Sequence, residues 1–410
     1  MYSRFFSNSA SALLLVLFAC IASAQPAVPT AQLVPVPQAV PVPQAVVPGP
    51  MPIPAAPNLP VKSYVLVEYE TGQVLASQAA DARVEPASIT KVMAAYVLFH
   101  ELQAGRLKLS DPVRISENAW KTGMDGSRMF AKVGDSVPVE QLLLGMIVQS
   151  GNDATIALAE HMAGSETAFV EVMNEYARKM ALTNTHFVNS PGLPDPEHYS
   201  SAADIAKLAA TVIREFPEYY KWYAQREFTW NGIKQYNRNQ LLARDPTVDG
   251  MKTGHTQSAG YCLVSSAKRG EMRLIAVVMG SQSESLRSAQ SQSVLNYGFR
   301  FFESHQLYAA GQSLKSQELW KGVTPMLELG VADAVRVVIP RGHYAALKAT
   351  MELPSMLIAP ISQGQKLGKI RVKYQEQLVA ERDLIALKPA QEGGFFKRMS
   401  DGIALWWRSE

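Results

Sequence analysis

Hydrophobic and polar positions alternate over Tyr64-Val65-Leu66-Val67-Glu68-Tyr69 and over Val74-Leu75-Ala76-Ser77, with a turn at Glu70-Thr71-Gly72-Gln73 between them. That pattern predicts a strand hairpin. The period then changes. From Ser88 to Leu102 the apolar residues Ile89, Val92, Met93, Tyr96 and Val97 recur at helical spacing, and Gly105 follows as a stop. Apolar helices are predicted over Val139 to Val148 and Asn152 to Met162, joined by a turn at Gln149-Ser150-Gly151, and helices again over 202–214 and 288–304. Strands at 260–268 and 272–280 pair around Lys268-Arg269-Gly270-Glu271. Strands at both ends of this region with helices between them predict an α/β domain. Its sheet is expected to be mainly antiparallel, because its connections are hairpins, with helices on both faces and an all-helical subdomain.

After about Leu307 the texture changes to short alternating segments, such as Ala334-Val335-Arg336-Val337-Val338-Ile339 and Lys369-Ile370-Arg371-Val372, separated by Gly and Pro turns. A small all-β sandwich is expected over 313–388. The last segment is different again. On a helical wheel Phe395, Phe396, Met399, Ile403, Trp406 and Trp407 share an arc of roughly 120°. Lys397, Arg398, Asp401 and Arg408 lie across from them. Such a helix suits the interface of a membrane; the plainer alternative is an ordinary packed terminal helix.

The beginning of the chain reads as a secretory leader: Arg4, an apolar run from Leu13 to Ile21, and small residues at Ala22 and Ala24 before Gln25. A competing lipoprotein reading would lipidate Cys20, but Phe18 is bulky for that site. Gln25 to Val61 carries no charge and repeats Val-Pro-Gln-Ala-Val, a composition that disfavours helix and sheet and favours polyproline II. Such a tether could reach on the order of 100 Å. The expected organisation is therefore a signal peptide over 1–24, a Pro-rich linker over 25–61, a catalytic domain over 62–306, a β domain over 307–390 and an amphipathic helix over 391–410.

Composition narrows the function classes. A net charge of +3 over 410 residues lacks the basic density of a nucleic-acid binder. With the leader removed only Cys262 remains, so no intramolecular disulfide is expected, and its apolar strand-like surroundings suggest a small buried hydrophobe. No His or Cys pair has metal-ligand spacing, so neither a metal nor a cofactor is implied.

Three short stretches carry candidate chemistry: Ser88-Ile89-Thr90-Lys91, Ser150-Gly151-Asn152 and Lys252-Thr253-Gly254. Two have decoys. Ser265-Ser266-Ala267-Lys268 also fits Ser-x-x-Lys, but on a strand its Ser and Lys point to opposite faces, whereas on a helix Ser88 and Lys91 meet. Ser116-Glu117-Asn118 matches Ser-x-Asn in a polar stretch, whereas Ser150-Gly151-Asn152 caps an apolar helix. At the start of a helix the N–H of Ser88 is free to face an oxyanion; alone, such a serine is more commonly just a cap. Lys91 must be neutral to accept the Ser88 proton, which burial and the nearby cation of Lys252 would favour. Lys252 and Thr253 suit a terminal carboxylate, and Gly254 leaves space for a peptide lying along an edge strand.

The order and elements of these three stretches resemble the active site of penicillin-binding proteins and serine β-lactamases. Further stretches make the resemblance specific: Arg238-Asn239-Gln240-Leu241-Leu242, Val248-Asp249-Gly250-Met251, His255-Thr256 with Ala259-Gly260-Tyr261, and Tyr297-Gly298-Phe299-Arg300-Phe301-Phe302. From about Tyr64 to the end, the chain is similar to the low-molecular-mass penicillin-binding proteins, specifically the D-alanyl-D-alanine carboxypeptidases. The resemblance implies Ser88 as acylated nucleophile, Lys91 as base, Ser150 as proton relay and Asn152 as substrate holder. It also implies that Lys252, Thr253 and Arg287 bind the substrate carboxylate with Arg238 in support, and that the oxyanion hole is the N–H groups of Ser88 and His255. The implied partners are peptidoglycan stem peptides, β-lactam antibiotics and a membrane surface reached by the terminal helix. The implied location is the periplasm, on the inner membrane. A β-lactamase fits less well: the middle motif has Gly151 where class A enzymes typically have Asp, and no deacylating glutamate is identified, Glu197 being near only in order. A DD-endopeptidase or transpeptidase would use the same acyl-enzyme, and a non-catalytic wall-binding scaffold is the alternative from another class.

Overall fold

The computed structural model describes residues 32–35, 53–124 and 126–408. The leader, Cys20 and most of the Pro-rich stretch lie outside them.

Five strands form an antiparallel sheet in the order Val74–Gln78, Ser63–Glu68, Met272–Ser281, Gly260–Arg269, Val248–Thr256. Alternation sorts its side chains onto two faces. Val65, Val264, Ile275, Val277 and Met279 pack with the helices Lys91–Gln103 and Ala202–Glu215. Tyr64, Leu66, Leu263, Leu274, Ala276 and Val278 pack with the helix Glu284–Phe301. A slip of one residue would exchange the two sets, so this double burial fixes the register. Helix Lys91–Gln103 is buried along most of its length, from Lys91 through Phe99, which explains why it is apolar on every side. The helical subdomain contains Val139–Leu144, Asn152–Ala163 and Glu166–Lys179.

Three expected helices differ from those observed, and each difference has a local cause. The first begins at Lys91 instead of Ser88, because Ala87–Thr90 winds as a tighter 3-10 turn after Pro86, with Ala87 at φ +48°. The second is α-helical only to Leu144. Gly145–Gln149 then forms a π-helical turn that ends at Ser150 in the left-handed region, φ 68°, with the Gly145 carbonyl accepting from the N–H of Gly151 at 3.0 Å. The third runs over Glu284–Phe301, capped by Ser283, whose side chain accepts from the N–H of Leu286; residues 302–304 belong instead to the strand Phe302–Tyr308.

The C-terminal β region stacks a seven-stranded sheet on the two-stranded pair Phe302–Tyr308 and Val335–Pro340. Leu307, Tyr308, Val335 and Val337 face Leu329, Met351, Ile370, Val372 and Leu384 across the core. Val338 packs instead with the catalytic core, and the Arg341 guanidinium donates to the carbonyls of Phe299, Arg300 and Phe302, fastening the region to the end of the preceding helix. One edge strand was not expected. Gln32–Pro35, within the Pro-rich stretch, pairs antiparallel with Leu347–Leu353. Polyproline II and β conformations are both extended, and Thr30 to Val34 is the longest proline-free run of that stretch, so its N–H groups are there to meet an open sheet edge.

The terminal helix spans Phe395–Arg408, and Phe395, Phe396, Met399, Ile403, Trp406 and Trp407 are all exposed. Asp401, on the other side, is buried and accepts from the backbone N–H of Lys321 at 2.7 Å and from Lys397 Nζ at 2.8 Å. Among the described residues no helix is long and apolar enough to cross a membrane.

Candidate active site

The 3-10 turn carrying Ser88, the π-helical turn ending at Ser150 and the edge strand Val248–Thr256 converge at one end of the sheet. Lys91 lies between the first two. Its Nζ is 2.9 Å from Ser88 Oγ, 2.8 Å from Asn152 Oδ1 and 2.8 Å from the Pro191 carbonyl, and only 1% of the residue is exposed. Burial, assisted by the Arg238 guanidinium and opposed by the Asp153 carboxylate, lowers its pKa to about 7. Arg238 adds to this lowering, and Lys91 and Lys252 disfavour each other's charged forms, as the sequence led us to expect.

Lys252 Nζ donates to Ser150 Oγ at 2.9 Å and to the Thr253 carbonyl at 3.0 Å. Burial, then the charges of Lys91, Arg238 and Arg287, hold it well below the usual lysine range. Thr253 is buried beside it. The two motif decoys serve ordinary structure. Ser265 Oγ is buried against the Ala276 carbonyl on its strand, while Lys268 is exposed. Ser116 Oγ accepts from the N–H of Ala119 as a helix cap, and Asn118 bonds Glu160.

Gly254 serves a different contact from the one expected of it. A Cβ there would lie 2.7 Å from the Pro86 carbonyl, 3.2 Å from Ala87 Cβ and 3.2 Å from the Ile89 nitrogen. The space it leaves is filled by the turn that carries Ser88. The His255 ring itself is exposed and lies against Tyr261, centroids 4.0 Å apart. The two arginines also differ in availability. Arg287 is buried and donates to the Arg238 carbonyl at 3.1 Å and to Glu284 at 3.0 Å. Arg238 is exposed and makes no ion pair among the described residues.

Four residues that matter to this geometry have no assigned part in the motif reading. Asp153, 2% exposed, accepts from the N–H groups of Met129, Ala131 and Ala154, while the N–H of Asn152 donates to the Ser127 carbonyl. Burial raises its pKa, and those N–H bonds pull it back. It fixes the 127–131 segment beside Asn152. Its signal was visible: an acidic residue opening an apolar helix. Pro191 acts through its carbonyl, which no side-chain pattern announces. His198 and Thr90 contact each other, as described below. Glu197 is exposed; its N–H donates to Asp195 and its carbonyl lies 2.7 Å from His186 Nδ1, so nothing turns its side chain toward Ser88. Cys262 is buried and its thiol is pushed up to about 11, mainly by burial.

Residues 52–283 match the family described as D-alanyl-D-alanine carboxypeptidase, and residues 302–392 match the C-terminal domain of penicillin-binding protein 5. The chain belongs to this carboxypeptidase family. The D-alanyl-D-alanine carboxypeptidase DacA of Escherichia coli K12 is 44% identical over 86% of this chain and 89% of its own length. DacC of the same strain is 42% identical over 85% and 89%. The solved penicillin-binding protein 5 of Haemophilus influenzae superposes with a TM-score of 0.79 at 41% identity, covering 82% of this chain and 99% of that one. The carboxypeptidase described here is therefore a serine-type D-Ala-D-Ala hydrolase with a mixed α/β catalytic domain and a β-sheet C-terminal domain.

Proposed function

We propose that this carboxypeptidase removes the terminal D-alanine from peptidoglycan stem peptides through an acyl-enzyme on Ser88, and that β-lactams acylate the same oxygen. One observation carries the reading: the three partners of Lys91 Nζ. Two of them, the Asn152 amide oxygen and the Pro191 carbonyl, can only accept. A neutral amine has two N–H groups, and these satisfy both acceptors. Its lone pair then faces the third partner, the Ser88 hydroxyl. The arrangement favours transfer of the Ser88 proton to Lys91 as Oγ attacks the carbonyl of the penultimate D-alanine.

The N–H groups of Ser88 and His255 hold the oxyanion; the close approach permitted by Gly254 supports this pairing. Ser150, bonded to Lys252, passes a proton to the departing D-alanine amine. Water then hydrolyses the ester and regenerates Ser88 Oγ–H. The substrate carboxylate meets Thr253 and the exposed Arg238, with the buried Arg287 adding positive charge behind them and Lys252 supplying N–H donors. The chain is exported by residues 1–24 and works in the periplasm. Residues 307–390 raise the catalytic domain above the inner membrane, and the exposed aromatic face of Phe395–Arg408 lies in the lipid interface.

The experiment is incubation of the folded protein with a β-lactam followed by peptide mass analysis. A single adduct on Ser88, absent in Ser88→Ala, is the expected result; an unmodified Ser88 overturns the mechanism.

A further inference from the structure

His198 is 2% exposed and plays no part in the acyl-transfer steps. Its Nδ1 receives the backbone N–H of Val188 at 3.1 Å, and its Nε2 lies 2.8 Å from Thr90 Oγ1. A backbone N–H can only donate, so Nδ1 must be the bare nitrogen and Nε2 must carry the proton. Nε2–H therefore donates to Thr90. The ring's edge packs on Phe187, centroids 5.7 Å apart. Burial pushes its pKa down to about 4, with Asp195 opposing and His186 and Lys91 assisting, so the neutral form is the one present at neutral pH.

Both ends of this bridge lead to Lys91. Thr90 precedes it in the chain. Val188 opens the 188–193 segment, which delivers the Pro191 carbonyl to Lys91 Nζ. That segment is braced from within: Asn189 Oδ1 accepts from the N–H groups of Gly192 and Leu193, and Glu166 accepts from Ser190 N–H and Oγ. It also presses on the nucleophile turn. Gly192 sits at φ +85°, and a Cβ there would be 1.9 Å from the Ala87 carbonyl and 2.8 Å from Thr90 Oγ1.

We propose that His198 is a positioning residue: its paired hydrogen bonds latch the 188–193 segment to Thr90 and thereby hold the Pro191 carbonyl against Lys91. The latch keeps water from Lys91 as well as orienting it. The inference rests on the reading of Lys91 as the base. The other charged groups around Lys91 are Asp153, Arg238 and Lys252, and none of them bonds to His198.

Two replacements separate the latch from mere packing. His198→Gln keeps both bonds, with its amide N–H toward Thr90 and its amide oxygen toward Val188. His198→Leu keeps bulk and loses both. The rate of Ser88 acylation by a β-lactam is followed from about pH 5 to about pH 10, with melting curves of each variant. His198→Leu is expected to acylate about tenfold more slowly at neutral pH, with its midpoint moved up by about one unit as Lys91 regains solvent. His198→Gln should keep the wild-type midpoint and a rate within about twofold. Thr90→Val removes the acceptor from the other side and should reproduce the alkaline shift, which covers a His198→Leu variant that does not fold. An unchanged midpoint in Thr90→Val or folded His198→Leu overturns the latch, as does a His198→Gln as slow as His198→Leu. Absence of any Ser88 adduct in the wild type would instead remove the base assignment beneath it.

Discussion

Lys252 Nζ lies 2.9 Å from Ser150 Oγ, joining the edge strand to a π-helical turn that ends in a left-handed residue. A non-glycine residue held at φ 68° costs on the order of 1 kcal/mol, and the hydroxyl of this one lies against Lys252. If Ser150 relays a proton, Ser150→Ala should release D-alanine about a hundredfold more slowly with little change in melting temperature. Stopped-flow acylation together with D-alanine release checks this. A loss confined to KM would argue against the relay.

Burial lowers the Lys91 pKa to about 7, so if its neutral form is the base, acylation should rise with pH through about 7 and level off above it. The sign of a second effect follows from Asp153. Its carboxylate raises the Lys91 pKa, so Asp153→Asn should move the midpoint to lower pH. The same change sets an amide N–H against the N–H groups of Met129 and Ala131 and should cost about 2 kcal/mol of stability. A less stable protein with a more acidic midpoint is the expected pair, read by denaturant melts and pH-dependent acylation. An alkaline shift would contradict the charge assignment.

Gly254→Ala would put a methyl group 2.7 Å from the Pro86 carbonyl, within the turn that carries Ser88. Backbone must yield, and the gap between the N–H groups of Ser88 and His255 widens. We expect acylation to fall at least about tenfold while the protein still folds. Near-wild-type acylation in the variant would separate Gly254 from the oxyanion geometry.

The exposed aromatic face of the terminal helix predicts vesicle binding. Trp406→Ser with Trp407→Ser should weaken partition into phospholipid vesicles by about tenfold or more, given the apolar area removed. Cosedimentation measures it, and equal binding by the double variant would assign that face another partner. D-alanine release from a soluble peptide should be unaffected.

Much of this architecture was legible because it rests on periodicity. The alternation over 64–69 marks the strand observed over Ser63–Glu68, and the pairing expected of 260–268 with 272–280 is present. The Ser265 decoy was separated from Ser88 by the element it occupies, and the Ser116 decoy from Ser150 by its polar surroundings. What escaped was carried by backbone. The Pro191 carbonyl has no side-chain signal, and the π-helical turn depends on one extra residue that an apolar pattern does not register. Gly254 was assigned to the substrate because sequence shows that a side chain is missing, not what fills its place. The bonds of Arg287 to Glu284 and the Arg238 carbonyl arise only once the helix and loop meet.

The bond from Asp401 to the N–H of Lys321 fastens the terminal helix part-way along its length, not merely at the chain junction. A helix held this way cannot swivel freely under the β region. If its aromatic side rests on lipid, the stance of everything above it would be set, and Ser88 would patrol a layer of nearly constant altitude. The carboxypeptidase would then behave less like a buoy on a line than like a lamp on a bracket, trimming those strands of the wall that pass at its own height. Asp401→Ala should leave vesicle binding intact while broadening the distance from the lipid surface to a fluorophore on the catalytic domain, and an unchanged distribution would refute the bracket.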